Sequence, residues 1–241
     1  MAPEPNSGLV AIVTAAGKGI GAGIARRLAA DGYRLGLLSN SGGAADLADQ
    51  LGPEVAIAHT GSVTDADVLR EVVDSTISTF GRVDAVVNNT GHPPKGDLLS
   101  ISDEDWHLGM DLLLLNVVRM ARLVTPIMER QRSGSIVNIS TYAAFEPDLA
   151  FPVSSSLRAA LGDFTKLYAD RYASSGIRMN NVLPGFTESY PENPANVARI
   201  PMGRYGLIDE IAAAVAFLVS RDAGYVTGQN LRVDGGLSRS I

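Results

Sequence analysis

The sequence contains no cysteine, which excludes a disulfide framework, a thiol nucleophile and a cysteine-based metal site. Its three histidines do not have the spacing of a metal site either. No apolar run reaches the roughly 20 residues that a membrane helix needs, because charged and polar residues interrupt the longest candidate, 108–128. The first residues, MAPEPNSG, lack the basic and apolar regions of a signal peptide. We therefore expect a cytoplasmic protein that does not contact a membrane.

A basic stripe is also absent. The 20 Lys and Arg residues are interspersed with 26 Asp and Glu residues, and the net charge is −6. A nucleic-acid surface would need clustered cations, so we expect a small-molecule substrate and no nucleic-acid partner. Hydrophobic residues make up 46% of the chain, which is enough for a large core. The length of 241 residues suits one α/β domain or two small ones.

Short apolar segments rich in β-branched residues alternate with segments of helical spacing. Strands are predicted at 9–14, 34–39, 54–60, 83–89, 134–140, 177–185 and 229–236. Helices are predicted at 20–32, 44–52, 65–81, 102–132, 155–176 and 209–220. Apolar strands separated by helices form parallel sheets that are covered on both faces. We therefore predict one α/β domain over 8–241, a doubly wound (Rossmann) fold with a seven-stranded parallel sheet, preceded by a flexible tail at 1–7.

The turn between the first strand and the first helix is rich in glycine. The segment VTAAGKGIGAGIA places Gly17, Gly19 and Gly21 in this turn. Glycine there lets the backbone approach a pyrophosphate, and the N-terminus of the next helix offers amides and a favourable dipole. Such a segment can also be only a tight turn, but its position after the first strand favours a dinucleotide site.

Four motifs resemble, in the same order, those of the short-chain dehydrogenase/reductase family, in its 3-oxoacyl-carrier-protein-reductase-like branch. TAAGKGIG (14–21) resembles the TGxxxGxG turn, with Ala15 in place of the first glycine, and NNTG (88–91) resembles NNAG. LPGFTES (183–189) resembles the segment that borders the nicotinamide, and YVTGQNLRVDGG (225–236) resembles the C-terminal signature. The resemblance covers nearly the whole chain. It implies the strand order 3-2-1-4-5-6-7 and a nicotinamide cofactor.

The resemblance also implies which residues contact that cofactor. They lie in the glycine-rich turn, at the ends of several strands and on one helix: Gly17, Lys18, Gly19, Ile20, Gly21, Ser39, Asn40, Ser41, Ser62, Val63, Asn89, Thr90, Gly91, Arg158, Pro184, Gly185, Thr187 and Ser189. Among them, Ser62 stands where the family usually has an Asp near the adenine.

The end of the second strand bears on the choice between NAD and NADP. NAD-binding proteins of this architecture usually place Asp or Glu there, on the ribose 2′-hydroxyl, whereas this sequence has Ser39, Asn40 and Ser41. Lys18 lies in the glycine-rich turn, where NADP-preferring members of the family often carry Lys or Arg. A cation with hydroxyl and amide donors suits a 2′-phosphate, so we predict NADP(H) rather than NAD(H). The alternative for Lys18 is a solvated loop charge.

The family catalyses with Asn, Ser, Tyr and Lys. The Tyr protonates the carbonyl as hydride arrives, the Lys holds the nicotinamide ribose and lowers the Tyr pKa, the Ser orients the carbonyl, and the Asn supports a water relay. Alignment on the flanking patterns places these four positions at Leu113, Thr141, Ser154 and Arg158, with Asn116 one helical turn beyond the first. The resemblance therefore implies that all four are substituted.

These substitutions differ in their consequences. Thr141 keeps a hydroxyl that can hydrogen-bond a carbonyl, whereas Leu113 cannot bind a water molecule. An alkanol such as that of Ser154 is a much weaker acid than a phenol, and it leaves a void where a ring would stand. Arg158 can reach ribose hydroxyls but stays protonated and cannot relay a proton. Loss of a general acid typically lowers a rate by on the order of 10²–10⁴.

Other residues near the expected cleft are candidates for the missing acid. His92 directly follows NNTG, in a loop that borders the nicotinamide in the family, and an imidazole suits acid catalysis near neutral pH. A solvated loop histidine is the alternative. Tyr142 has either an acid or a packing role. Three further residues lie on loops expected to border the substrate, and each can instead be a surface residue: Glu146, Asp148 and Tyr190.

Three functional interpretations stay open. The first is an NADP(H)-dependent oxidoreductase that acts on a carbonyl, an imine or an alcohol with a rearranged proton donor. The second is a nucleotide-binding pseudoenzyme that acts as a sensor or a scaffold subunit. The third is an enzyme that uses the fold for non-redox chemistry such as elimination or cyclisation.

The fourth and fifth predicted helices carry apolar residues on more than one face, such as Leu112 to Leu115 in the fourth and Phe164 and Leu167 in the fifth. A helix that is apolar all round must be buried on both sides. In the family these helices pack against symmetry mates. We therefore expect a homotetramer with D2 symmetry.

Overall fold

The computed structural model describes residues 8–240, so the predicted tail at 1–7 lies outside the described residues. Its strands are β1 (Val10–Thr14), β2 (Arg34–Ser39), β3 (Ala56–Thr60), β4 (Ala85–Asn88), β5 (Gly134–Ile139), β6 (Ile177–Pro184) and β7 (Asn230–Val233). They form one parallel sheet in the order 3-2-1-4-5-6-7, which confirms the prediction. Since β1 pairs with both β2 and β4, the strand order reverses there and a crevice opens at the carboxyl ends.

Helices cover both faces of the sheet. They are α1 (Gly19–Ala30), α2 (Gly43–Leu51), α3 (Ala66–Phe80), α4 (Asp103–Met110), α5 (Asn116–Gln131), α6 (Pro152–Tyr172), α7 (Pro194–Val197) and α8 (Ile208–Val219). Side chains of α1, α2 and α8 join the core on one face, and those of α3, α5 and α6 join it on the other. Within residues 8–240, no helix combines the length and the apolarity that crossing a membrane requires.

Two predicted helices differ in detail from those observed. The helix predicted over 102–132 does begin after Ser102, whose hydroxyl accepts the Asp105 amide at 3.1 Å, but a π-helical segment, Asp111–Leu115, separates α4 from α5. The next long helix starts at Pro152 rather than at 155, because proline has the backbone angle of a first helical residue and needs no amide partner there. The short helix α7 was not predicted.

A row of asparagine side chains crosses the sheet from β4 to β7. The amide of Asn88 donates to Asn138 at 2.9 Å, Asn138 donates to Asn181 at 2.9 Å, and Asn181 donates to Asn230 at 2.7 Å. The first three are buried, where an unpaired amide would be costly. The row satisfies these groups and fixes the register of four neighbouring strands.

Candidate active site

A cleft of about 1010 Å³ lies where the carboxyl ends of β1, β4, β5 and β6 meet. Every predicted cofactor residue except Gly21 lines this cleft. Lys18, Asn40 and Ser41 are exposed on its wall, at the end where β2 finishes. The arrangement gathers the predicted cofactor residues from six separate segments of the chain.

Gly21 lies behind the turn instead of on the cleft wall. A Cβ atom at this position would stand 2.2 Å from the carbonyl oxygen of Ala15 and 2.7 Å from the side-chain nitrogen of Asn89. Only glycine therefore lets α1 pack this closely under the turn. Gly21 therefore has a packing role, and its contact with a cofactor stays a prediction.

The glycine-rich turn is tied to the NNTG loop through Thr14. The Thr14 hydroxyl donates to the carbonyl of Asn89 at 2.6 Å and accepts the amide of the same residue at 2.9 Å. The side-chain amide of Asn89 also donates to the carbonyl of Ala15 at 3.4 Å. These bonds hold the two loops on either side of the crevice in fixed positions.

Ala15 adopts a left-handed backbone conformation, with φ of 48°, at the position where the family has glycine. This conformation costs a residue with a side chain roughly 1–2 kcal/mol, whereas glycine adopts it freely. We predict that Ala15→Gly raises the free energy of unfolding by up to about 1 kcal/mol, measured by urea denaturation. Ala159→Gly, in the exposed interior of α6, is the control and is expected to lower it by about 1 kcal/mol. A loss of stability in Ala15→Gly would contradict this account.

The hydroxyl of Ser39 is already used by the loop that follows β2. It donates to the carbonyl of Ser41 and accepts the amide of Ala44 at 3.1 Å. Its proton is therefore not available to a 2′-phosphate. Donors for such a group would have to come from other residues at this end of the cleft, where Lys18, Asn40 and Ser41 are exposed.

Arg158 is buried, with 8% of its surface exposed, on the cleft wall. Its Nη1 donates to the carbonyl of Ile139 at the end of β5, and its Nε has no hydrogen-bond partner among residues 8–240. Burial lowers the pKa of Arg158 to about 10, so the guanidinium stays charged at neutral pH.

Two hydroxyl groups in the cleft, like Nε of Arg158, have no hydrogen-bond partner among the described residues. Thr90 Oγ1 and Ser140 Oγ are buried and make no hydrogen bond within the described part of the chain, and both residues line the cleft. Buried polar atoms in proteins are nearly always hydrogen-bonded. Two such hydroxyls in one cleft, beside the buried guanidinium of Arg158, fit a polar ligand such as a nicotinamide riboside, which Thr90, Ser140 and the Nη groups of Arg158 would hold.

Three of the four family catalytic positions lie on the cleft wall, namely Thr141, Ser154 and Arg158. Leu113 does not: it is 1% exposed and packs against Val153 and Leu157 of α6. Its neighbour Leu112 lines the cleft instead. Alignment therefore located the position of Leu113 but not the direction of its side chain.

His92 forms a pair with Tyr190 at the rim of the cleft. The Tyr190 hydroxyl lies 3.0 Å from His92 Nδ1, and both residues line the cleft. Partial burial lowers the pKa of His92 below its ordinary value of 6.5, and the positive charges of Lys95, Arg158 and Lys18 lower it further. The imidazole is therefore uncharged at neutral pH. The sequence named both residues but gave no sign of their pairing, since 98 positions separate them.

The remaining candidates have structural partners. Tyr142 is buried, its hydroxyl donates to Asp148 at 3.0 Å, and burial together with that carboxylate raises the pKa of Tyr142 to about 12. Asp148 also pairs with Arg199 at 3.5 Å. Glu146 accepts backbone amides of the C-terminal segment, including that of Ser240 at 2.6 Å. A phenol held in this way is a poor acid near neutral pH.

The parallel sheet, the strand reversal at β1 and the glycine-rich turn on the cleft wall define a Rossmann-type dinucleotide-binding domain. A family model described as enoyl-(acyl carrier protein) reductase matches residues 14–238. The chain belongs to the short-chain dehydrogenase/reductase family. A nicotinamide cofactor follows from that membership.

Among curated relatives, the chain is similar to the 3-oxoacyl-[acyl-carrier-protein] reductase FabG of Thermotoga maritima, with 37% identity over 73% of this chain and 74% of the relative. The FabG reductase of Escherichia coli is 35% identical over 95% of this chain and 97% of its own length. The 3-oxoacyl-[acyl-carrier-protein] reductase of Synechocystis is 35% identical over 95% of this chain and 96% of its own length.

Proposed function

We propose that this protein is an NADP(H)-dependent oxidoreductase that interconverts a carbonyl or imine and the reduced compound, with a proton donor other than the family's Tyr. One contrast carries this proposal. The cofactor side of the cleft has the glycine-rich turn, two unpartnered buried hydroxyls and the guanidinium of Arg158, whereas Ser154 stands where the family's acid would be. The site keeps its cofactor-binding residues but lacks the family's proton donor. We therefore infer that another residue donates the proton.

A bound NADPH would supply a hydride to the carbonyl carbon, and the carbonyl oxygen then needs a proton. In our proposal Arg158 binds the nicotinamide ribose without relaying protons, because a guanidinium stays charged. The Thr141 hydroxyl hydrogen-bonds the carbonyl oxygen and orients it. Ser154 is at most a hydrogen-bonding part of the wall.

The His92–Tyr190 pair is our candidate for the proton donor. In the tautomer with a proton on Nδ1, His92 donates to the Tyr190 oxygen at the observed 3.0 Å, which leaves the phenol proton free for the substrate. Lys95 and Arg158, whose charges act on His92, supply positive charge close to this pair. His92 is only partly buried at the rim of the cleft, so solvent can return the proton.

Cofactor preference provides the first test. Lys18 with Asn40 and Ser41 is expected to favour NADPH over NADH by on the order of 10- to 100-fold in affinity, since a charge-assisted contact is worth about 1.5–3 kcal/mol. Calorimetric titration of both cofactors measures this ratio. Lys18→Ala should remove much of the preference, whereas Arg70→Ala, which removes an exposed cation of α3, should leave it intact. Equal affinities in the unmutated protein would contradict the NADP(H) assignment.

Turnover provides the second test. NADPH consumption against a panel of carbonyl and imine compounds separates an oxidoreductase from the two alternatives. NADPH binding without consumption would instead favour a nucleotide-binding pseudoenzyme. That alternative rests on Ser154, whose hydroxyl is a much weaker acid than a phenol, and on the buried Leu113, which cannot bind a water molecule.

We also propose a homotetramer. Apolar side chains stand exposed on the helices that the sequence assigned to subunit contacts, including Leu108 of α4 and Leu167 of α6, which is 68% exposed. Tyr225 and Leu231 are exposed in the C-terminal segment. Light scattering at micromolar concentration should give four times the mass of the chain, and a monomer would rule the proposal out.

A further inference from the structure

The cleft differs in charge from the rest of the molecule. The chain as a whole carries a net charge of −6. Among the described residues that line the cleft there are three cations, Lys18, Lys95 and Arg158, and no carboxylate. A cleft lined by one sign of charge concentrates ligands of the opposite sign.

These cations do not all serve the cofactor. Lys18 belongs to the glycine-rich turn and is assigned above to the 2′-phosphate. Lys95 lies elsewhere: its ammonium stands 4.8 Å from the ring centre of Phe151, which also lines the cleft and directly precedes α6. The same helix carries Ser154 and Arg158 one turn apart. Lys95 and Arg158 therefore lie on the side of the cleft where the family's Tyr would stand.

Arg158 has more donors than the cofactor can use. A guanidinium has five N–H groups, and here the carbonyl of Ile139 takes one from Nη1. The two hydroxyls of a ribose would take at most two more. The Nε donor, which has no partner among residues 8–240, then remains available beside Nη2. The Nε–Nη2 edge is a planar fork that matches a carboxylate.

The charge of Arg158 also lacks compensation. No carboxylate in the described part of the chain forms an ion pair with it, although it is buried. Ribose hydroxyls are neutral, so they satisfy hydrogen bonds without balancing the charge. A buried cation is costly unless it is paired with an anion, and this cost is what lowers the pKa of Arg158.

We propose that the substrate carries a carboxylate, which binds the free edge of Arg158 in the space beside Ser154, with Lys95 as a second cation. The substrate class would then be a small oxo acid, or the hydroxy acid formed from it. This inference rests on the proposed function, because it assumes that the reacting carbonyl lies in the same cleft.

The test compares a carboxylate with its neutral amide in the presence of saturating NADPH. 3-Hydroxybutyrate and 3-hydroxybutyramide are already reduced, so they bind without reacting, and calorimetry gives both dissociation constants. We expect the carboxylate to bind tighter by on the order of 10- to 100-fold, as for other charge-assisted pairs. Equal affinities would overturn the inference.

Variants assign this preference to Arg158. Arg158→Met keeps the length of the side chain without its charge and should abolish the preference for the carboxylate. Lys166→Met removes an exposed cation from the same helix outside the cleft and should retain it. If Arg158→Met does not fold, the comparison of the two compounds on the unmutated protein still decides whether a carboxylate is preferred.

A prior NADPH titration distinguishes failure of this inference from failure of the proposed function. Binding of NADPH without a carboxylate preference refutes only the inference, whereas no NADPH binding refutes the proposed function.

Discussion

Tyr190→Phe should lower NADPH-dependent turnover by on the order of 10²–10⁴-fold, the usual effect of losing a general acid. The reason is that Tyr190 presents a hydroxyl at the cleft, 3.0 Å from an imidazole that can hold it in position. His92→Ala should lower turnover as well, because the phenol loses its hydrogen-bond partner. Steady-state rates on a substrate found in the carbonyl and imine panel measure both effects, and NADPH titration checks that binding survives.

Ser154→Ala is the matched control for Tyr190→Phe. It removes a hydroxyl from the same cleft at the family's own acid position, and we expect little change in turnover. If Ser154→Ala abolishes activity while NADPH still binds, Ser154 is catalytic and the assignment of Tyr190 is wrong. Full activity in Tyr190→Phe would refute the assignment independently.

The second large effect is a gain of activity. Thr141→Ser, Ser154→Tyr and Arg158→Lys together restore three family residues that line the cleft. In a Tyr190→Phe background, this triple change should raise turnover of simple ketones by on the order of 10²–10⁴-fold, because the new Tyr stands at the family's acid position. Each change alone should do little, since such groups act as a unit.

Leu113→Asn belongs in a separate variant. Leu113 is buried against Val153 and Leu157, so an amide there would lack partners and cost about 1–3 kcal/mol. We expect the fourfold variant to be less stable than the triple variant in urea denaturation, with no further gain in rate. A triple variant that binds NADPH but stays as inactive as Tyr190→Phe would show that more than these residues separates the chain from the family's chemistry.

The sequence predicted the fold because its strongest signals are local. Apolar strands, helical spacing and a glycine-rich turn each occupy a few consecutive residues, and the family motifs added the order of the strands. The row from Asn88 to Asn230 was not predicted, since each of these residues looks like a polar interruption of a strand. Their pairing depends on a register that only the assembled sheet defines.

The site was predicted less completely for the same reason. Motifs located the residues along the cofactor, but the partner of His92 lies on a loop that follows β6, far along the chain. Similarly, no local signal shows that the Ser39 hydroxyl is taken by its own loop or that Tyr142 is held by Asp148. These contacts decide which hydroxyls have a free proton.

The π-helical segment Asp111–Leu115 determines how α5 is rotated about the helix axis relative to α4. An α-helix turns by about 100° per residue, and a π-helical turn contains an additional residue, so α5 is rotated by about this angle relative to an unbroken continuation of α4. With the observed rotation, Leu112 lines the cleft and Leu113 packs against Val153. Loss of a single residue from the segment would rotate one helix against the other and bring a different side chain to the cleft. An insertion or deletion in this segment would therefore change the shape of the cleft wall, as a substitution would.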